Sequence, residues 1–242
     1  MNQVIMKKGF IIIPAYNEEE NISTLIKKIP SFPEIDLQII VIDDGSTDDT
    51  AFIAKEMGAL VLSNQFNMGL ALTFRKGLRY CIDKNADIMI ILDADGQYSP
   101  NQIPHLITPL INNMTDLSMG NRFLEVNNYQ GGILKKLTNY ILSFFISRIL
   151  LRNRYIYDVQ SSFRAFNRDL GDFLLKNLRG SYNYSQEMFM LAYMNKFKIK
   201  QVPVKCFNRL NGSSRLIKNP LIHVFKIIKI SLITYFQQKY LK

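Results

Sequence analysis

Asp93 and Asp95 stand one residue apart at the end of an apolar run, in the stretch IMIILDADGQYSP from Ile88 to Pro100. Alternate side chains of an extended chain share a side, so both carboxylates face the same way if the strand geometry persists. Two carboxylates held like this suit a hard divalent cation, Mg²⁺ or Mn²⁺, and Gln97 adds a neutral oxygen two residues on. An acidic turn would explain the same letters, because Asp-Gly is a good turn pair. The place directly after a buried strand favours the chemical reading.

Three other stretches carry groups of the same kind. Asp43 and Asp44 end the apolar run of IVIDDGSTDDT, and Gly45 turns the chain. Ser46 or Thr47 is expected to cap the helix that follows, whose first turn is acidic as its dipole favours. Carboxylates on the strand itself can accept bonds from a base or ribose edge. In IIIPAYNEEEN, Pro14 stops the run, Tyr16 offers an aromatic face, and Asn17 or Glu18 begins a helix. In FNRLNGSSRL, Arg209 and Arg215 flank the flexible pair Asn211-Gly212. Two guanidiniums on one loop suit a diphosphate through charge-assisted bonds. Arg122 in GNRF and Arg164 in SSFRAF stand beside small or aromatic residues and are expected to be placed by packing. His105 and His223 have no partners nearby in sequence and receive no role.

The elements that must position these groups alternate. GFIIIP, LQIIVID, ALVLS and DIMIILD read as strands, and EEENISTLIKKI, TDDTAFIAKEMG, GLALTFRKGLRYCIDKN and SPNQIPHLITPLIN as helices, the last with Ser99 as N-cap. This alternation predicts an α/β fold of βαβ units around a mostly parallel sheet, with helices on both faces. Ligands of such sheets sit beyond the carboxyl ends of the strands, which puts PAYNE, DDGSTDD and DADGQ on one rim. From about Gly131 the pattern changes. An apolar helix over roughly 133–151 carries Lys135, Lys136 and Arg148, and the segment 219–242 carries Lys226, Lys229 and Lys239. Charges at these places make poor membrane spans, but basic amphipathic helices on a membrane surface read this way. The expected division is a catalytic domain over 1–218 and a basic amphipathic helix over 219–242, facing a membrane or a partner.

Charge is unevenly spread along the 242 residues. No acidic residue follows Glu187, whereas eleven of the 30 Lys and Arg do, and the whole chain carries a net charge of +10. A segment like that expects an anionic partner. The basic residues sit among Ile, Leu and Phe rather than in a groove-reading or stacking pattern, which argues against nucleic acid. Hydrophobic composition of 48% excludes a disordered chain. The two cysteines, Cys81 and Cys206, form no CxxC or Cys/His cluster, which speaks against zinc and against a disulfide scaffold. Free thiols and the absence of a signal-peptide pattern at the start lead to the expectation of a cytoplasmic protein.

The order of the motifs IIIPAYNEEENI, VIDDGSTDDT, NMGLALTFRKG, ILDADGQYSP, MGNRF, DVQSSFRAF, SQEMFMLAY and RLNGSSRL resembles that of family 2 glycosyltransferases with the GT-A fold, over roughly residues 9 to 220. DADGQ, GNRF and RLNGSSR are similar to the polyprenol-phosphate branch, to which the dolichol-phosphate mannose synthases belong. The resemblance implies that Pro14, Tyr16, Glu18, Ile42 and Asp44 hold the nucleoside, with Ala94 alongside. It implies that Asp93, Asp95 and Gln97 hold Mg²⁺ or Mn²⁺ on the donor diphosphate, that Arg209 and Arg215 close over it, and that Arg122 and Lys135 bind the acceptor phosphate. Asp95, Arg122 and Glu187 are the implied catalytic group. The implied activity is inverting transfer from a GDP- or UDP-linked sugar to a polyprenyl or dolichyl phosphate, peripheral on the cytoplasmic face of a membrane, alone, as a homo-oligomer or with a membrane subunit. A family 2 enzyme that elongates a cell-surface saccharide is the alternative, and such enzymes present a separate acidic base. Two departures stand out. The family often has Ser-Gly where this chain has Ser161-Ser162, and Lys135 and Arg215 replace the Arg and Lys of some relatives.

Overall fold

The computed structural model describes residues 6–125, 130, 132–155, 157–180, 182–209 and 220–240, without the side chains of 134, 135, 220 and 221. Seven strands form one sheet: β1 (Lys7–Ala15), β2 (Ile35–Asp43), β3 (Leu60–Ser63), β4 (Ile88–Ile91), β5 (Leu117–Asn121), β6 (Arg164–Asn167) and β7 (Ile199–Pro203). Their spatial order is β3-β2-β1-β4-β6-β5-β7. Every pairing is parallel except the two made by β6 with β4 and β5. β1 and β4 are buried almost throughout, as continuous Ile-rich runs require of strands covered on both faces.

One face of the sheet is covered by α1 (Glu19–Lys27), α2 (Thr50–Glu56) and α4 (Ile103–Ile111), the other by α3 (Leu70–Asp83), α6 (Arg168–Asn177) and α7 (Ser185–Met194). Gly77 lets α3 lie close on the sheet, since a Cβ there would meet Ile12 Cγ2 at 2.7 Å. α4 begins after a short 3₁₀ turn at Pro100, and Ser99 makes no side-chain capping bond. Cys81 and Cys206 are both buried, and neither forms a disulfide.

Two further helices stand apart from this scheme. α5 (Ile133–Phe144) runs into a π-helical turn (Phe145–Leu150), and α8 (Pro220–Tyr240) packs along α7. α8 buries His223, Ile227, Ser231 and Thr234 at helical spacing. Its outer side exposes Ile222, Phe225, Ile233 and Phe236 with Lys226 and Lys229. α5 likewise exposes Ile133, Leu137, Tyr140, Ile141 and Phe144, with Lys136. Each helix therefore turns an apolar, basic stripe outward. Among the described residues no helix is long and apolar enough to cross a membrane.

Candidate active site

The strand order reverses between β1 and β4, and a crevice opens there beyond the strand ends. Pro14 helps to open it. β1 pairs with β4 from Gly9 to Ile12, with a last bond from Leu92 N to Ile12 O at 3.1 Å. On the other side β1 stays paired with β2 through Ala15. Backbone groups alternate in direction along a strand, so Pro14, two residues after Ile12, turns its donorless nitrogen toward β4, where no ladder bond is needed.

Two loops on this rim are stitched together. Asn17, at φ 52°, donates its N–H to Ser46 Oγ (2.9 Å) and accepts from Thr47 N (2.8 Å). Glu18 N donates to Thr50 Oγ1 at 2.7 Å. Ser46 and Thr47 thus bind the neighbouring loop rather than capping α2, whose N-cap is Asp49. Gly45 has φ +74°, and a Cβ there would strike the Phe66 backbone at 2.6 Å. Asp43 Oδ1 accepts from Ser46 N, and the two oxygens of Asp44 accept from Asn64 Nδ2, Met68 N and Gly69 N at 2.8 to 2.9 Å. The paired aspartates at the end of β2 therefore shape the rim's backbone.

The acidic centre lies between the β1 and β4 ends. Burial first, and then the neighbouring Asp95, pushes the Asp93 carboxyl up to about 7, against a bond donated by Ser162 Oγ. Asp95 Oδ1 accepts from Gln97 N at 3.1 Å. Arg209 bridges the cluster, pairing with Glu18 Oε1 and lying 3.4 Å from Asp95 Oδ2. The segment that carries Arg209 is fixed to the same loop. Phe207 N donates to Gln97 O at 2.8 Å, Gln97 Nε2 donates to Phe207 O at 3.3 Å, and Tyr98 bridges Cys206. A guanidinium resting on Glu18 and Asp95 shows how strongly this spot draws positive charge, so its donors fit a divalent cation. Among the described residues no three acidic, His or Cys side chains are grouped to hold an ion by themselves. Asp93 and Asp95 would hold it together with oxygens of a bound diphosphate.

A buried basic group lines the same cavity. Arg122 is clamped by Asp158, with Nε to Oδ2 at 2.6 Å, Nη2 to Oδ1 at 2.7 Å, and the Arg122 N–H to Oδ2 at 3.1 Å. Burial works against the Arg122 charge, but Asp158 outweighs it and keeps the group charged. Arg164 lies fully buried one step behind. It donates to the carbonyls of Val159, Ser161 and Ser185, and burial lowers its pKa to about 10. It thereby ties the start of α7 to the segment that presents Gln160 and Ser162.

The cavity measures about 300 Å³ and is lined by Pro14, Tyr16, Glu18, Asp44, Asp93, Ala94, Asp95, Gln97, Arg122 and Arg209, all marked in the sequence. Ile42 is instead fully buried in the core beside Gly77. Glu187 is not among the lining residues. It faces a smaller depression and accepts from the N–H groups of Arg179 and Gly180, both at 2.9 Å. The Lys135 side chain and the whole of Arg215 lie outside the described residues. Sequence reasoning missed Thr73, Asn139, Gln160, Asn183 and His223, which also line the cavity. Polar residues scattered over five separate stretches leave no spacing signal. Ser162 had a signal, as half of the Ser-Ser departure.

Residues 10–173 match the model of glycosyl transferase family 2. The chain belongs to this family. The transferase is 31% identical, over 81% of its length and 84% of the relative's, to a UDP-N-acetylglucosamine--dolichyl-phosphate N-acetylglucosaminyltransferase from Methanococcus voltae. It is 24% identical to a polyprenol monophosphomannose synthase from Mycolicibacterium smegmatis, over 87% of this chain and 81% of that one. Glucosyl-3-phosphoglycerate synthase from Mycobacterium tuberculosis, solved with Mn²⁺, UDP and glucosyl-3-phosphoglycerate, superposes with TM-score 0.69 at 23% identity, over 96% of this chain and 80% of that one. The same enzyme solved with Mg²⁺ and UDP gives 0.70, with 96% and 79% covered. The fold of this family 2 glycosyltransferase is the GT-A fold expected from the motif order.

Proposed function

We propose that this glycosyltransferase moves a sugar, with inversion, from a GDP- or UDP-linked donor to a polyprenyl phosphate at the cytoplasmic face of a membrane. The observation that carries the reading is one cavity in which an acidic centre, Asp93 and Asp95, and a clamped cation, Arg122, share the walls with residues of α5 and α8. The outward stripes of those two helices suit a lipid surface. The names of the two curated relatives support the acceptor class.

In this reading Tyr16, Asp44 and the backbone around Pro14 and Ala94 hold the nucleoside. Asp93 and Asp95, with Gln97, would hold Mg²⁺ or Mn²⁺, which would supply positive charge for a departing diphosphate. Arg209 adds a second positive group on the donor side once it exchanges its carboxylates for phosphate oxygens. Arg122 holds the acceptor phosphate, with Lys135 as its proposed companion. A phosphate monoester is already anionic near neutral pH and needs little help from a general base. Glu187, turned away from the cavity, is accordingly left as a brace of the 179–180 turn.

The test is a transfer assay with a panel of GDP- and UDP-sugars, Mg²⁺ or Mn²⁺, and a short-chain prenyl phosphate in detergent. Metal-dependent transfer to the lipid, lost in Asp95→Ala, is the expected outcome. Donor binding without transfer to any prenyl phosphate would overturn the acceptor assignment.

A further inference from the structure

The cavity has one wall that neither the family motifs nor the sequence marked. It comes from α8, which turns His223 inward. His223 retains only 7% of its exposure, so its ring is almost wholly enclosed. Its Nδ1 lies 2.8 Å from the Tyr182 hydroxyl. Lys226, one turn along α8, places its ammonium 4.4 Å from the centre of the Tyr182 ring. The backbone after Tyr182 continues directly into Asn183 and Ser185, which line the same cavity.

A phenol is the natural donor to an imidazole nitrogen, and with Tyr182 donating to Nδ1 the ring proton sits on Nε2. In that tautomer the imidazole presents its Nε2–H on a wall of the cavity. We infer that His223 is an acceptor-recognition residue: α8 contributes its imidazole N–H, oriented by Tyr182, to the anionic oxygens of a phosphomonoester. The inference deepens the lipid-phosphate reading and rests on it. It also gives α8 two tasks on opposite sides. The outer stripe of Ile222, Phe225 and Phe236 meets the lipid surface, and the inner side meets the headgroup drawn from that surface.

Two probes separate the sources of such a phosphate: a short-chain prenyl phosphate in detergent, and soluble glycerol phosphate. Both are titrated into wild type, His223→Ala, His223→Gln and Tyr182→Phe, followed by ³¹P resonance, while nucleoside diphosphate with Mn²⁺ is titrated in parallel by calorimetry. A hydrogen bond to a charged group contributes about 1.5–3 kcal/mol, so His223→Ala should weaken prenyl phosphate binding about ten- to hundredfold. Nucleotide affinity should stay within about twofold. His223→Gln, which keeps a donor, should recover part of the loss, and Tyr182→Phe should lose less than His223→Ala. Prenyl phosphate binding unchanged in His223→Ala would overturn the inference alone. Equal loss of nucleotide and phosphate binding would also overturn it, since that marks a helix anchor. If wild type binds neither probe, the lipid-phosphate reading falls and takes this inference with it. Tight binding of glycerol phosphate by wild type, with no gain for the prenyl probe, would overturn the lipid reading while His223→Ala still tests the imidazole.

Discussion

At the scale of single residues, the site is built from charges that hold one another in place. Asp158 is wholly buried, and its two oxygens take three bonds from Arg122. Removing one partner leaves the other charge buried and uncompensated, which typically costs about 3–5 kcal/mol. Asp158→Ala should therefore lower the denaturant midpoint sharply, and Asp158→Asn, of the same shape, should raise the acceptor KM more than the donor KM. Ser162 carries a subtler effect. Its hydroxyl bond holds the Asp93 pKa down against burial and Asp95. Ser162→Gly should let that pKa rise further. A cation binds the ionised carboxyl, so protons compete with it more strongly in the variant. Mn²⁺ titrations at several pH values should show the variant's affinity falling at neutral pH and recovering toward alkaline pH. An affinity equal to wild type throughout would mean that the Ser162 hydroxyl does not tune the acidic centre.

At the scale of elements, α5 and α8 are unusual because their outward sides are apolar. A soluble helix normally buries such a stripe. α8 buries Ile227 together with His223, Ser231 and Thr234, yet it leaves Phe225 and Phe236 exposed. Lys226 and Lys229 flank the exposed aromatics. Basic residues beside an anionic bilayer contribute about 1 kcal/mol each. Lys226→Gln with Lys229→Gln should reduce partitioning into vesicles of anionic lipid about tenfold or more, as measured by sedimentation. Neutral vesicles should show little change, and Phe225→Ser should weaken binding to both. Equal binding of all variants would assign these stripes to contact with another protein.

At the scale of the whole molecule, the sheet brings together side chains that lie far apart in the chain. Glu18, Asp95 and Arg209 meet across 191 positions of sequence between the first and the last. Asp95 and Glu18 repel the Asp93 carboxylate, and a bound cation would relieve that repulsion. Ligand that binds the native state alone stabilises it by mass action, about 2.7 kcal/mol at a hundredfold excess over Kd. Nucleoside diphosphate with Mn²⁺ should raise the melting temperature by several degrees, and a chelator should reverse the rise. Asp95→Ala should show no cation-dependent rise in thermal scanning.

The alternation of strands and helices is legible in the letters alone, because apolar runs and helical spacing are local properties of the chain. The rim is legible as well, since a parallel sheet puts every strand-to-helix turn at one end. Hence Pro14, Asp44, Asp93 and Asp95 could be placed before any coordinates. The partners of these side chains came from the packing of the fold. That Asp158 clamps Arg122, that Ser46 serves the neighbouring loop, that Glu187 turns toward Arg179 and Gly180, and that His223 enters the cavity all depend on which elements pack together. Side-chain pairing across tens of residues leaves no periodic trace, because any buried charge needs a partner but the chain does not say from which strand or helix it will come.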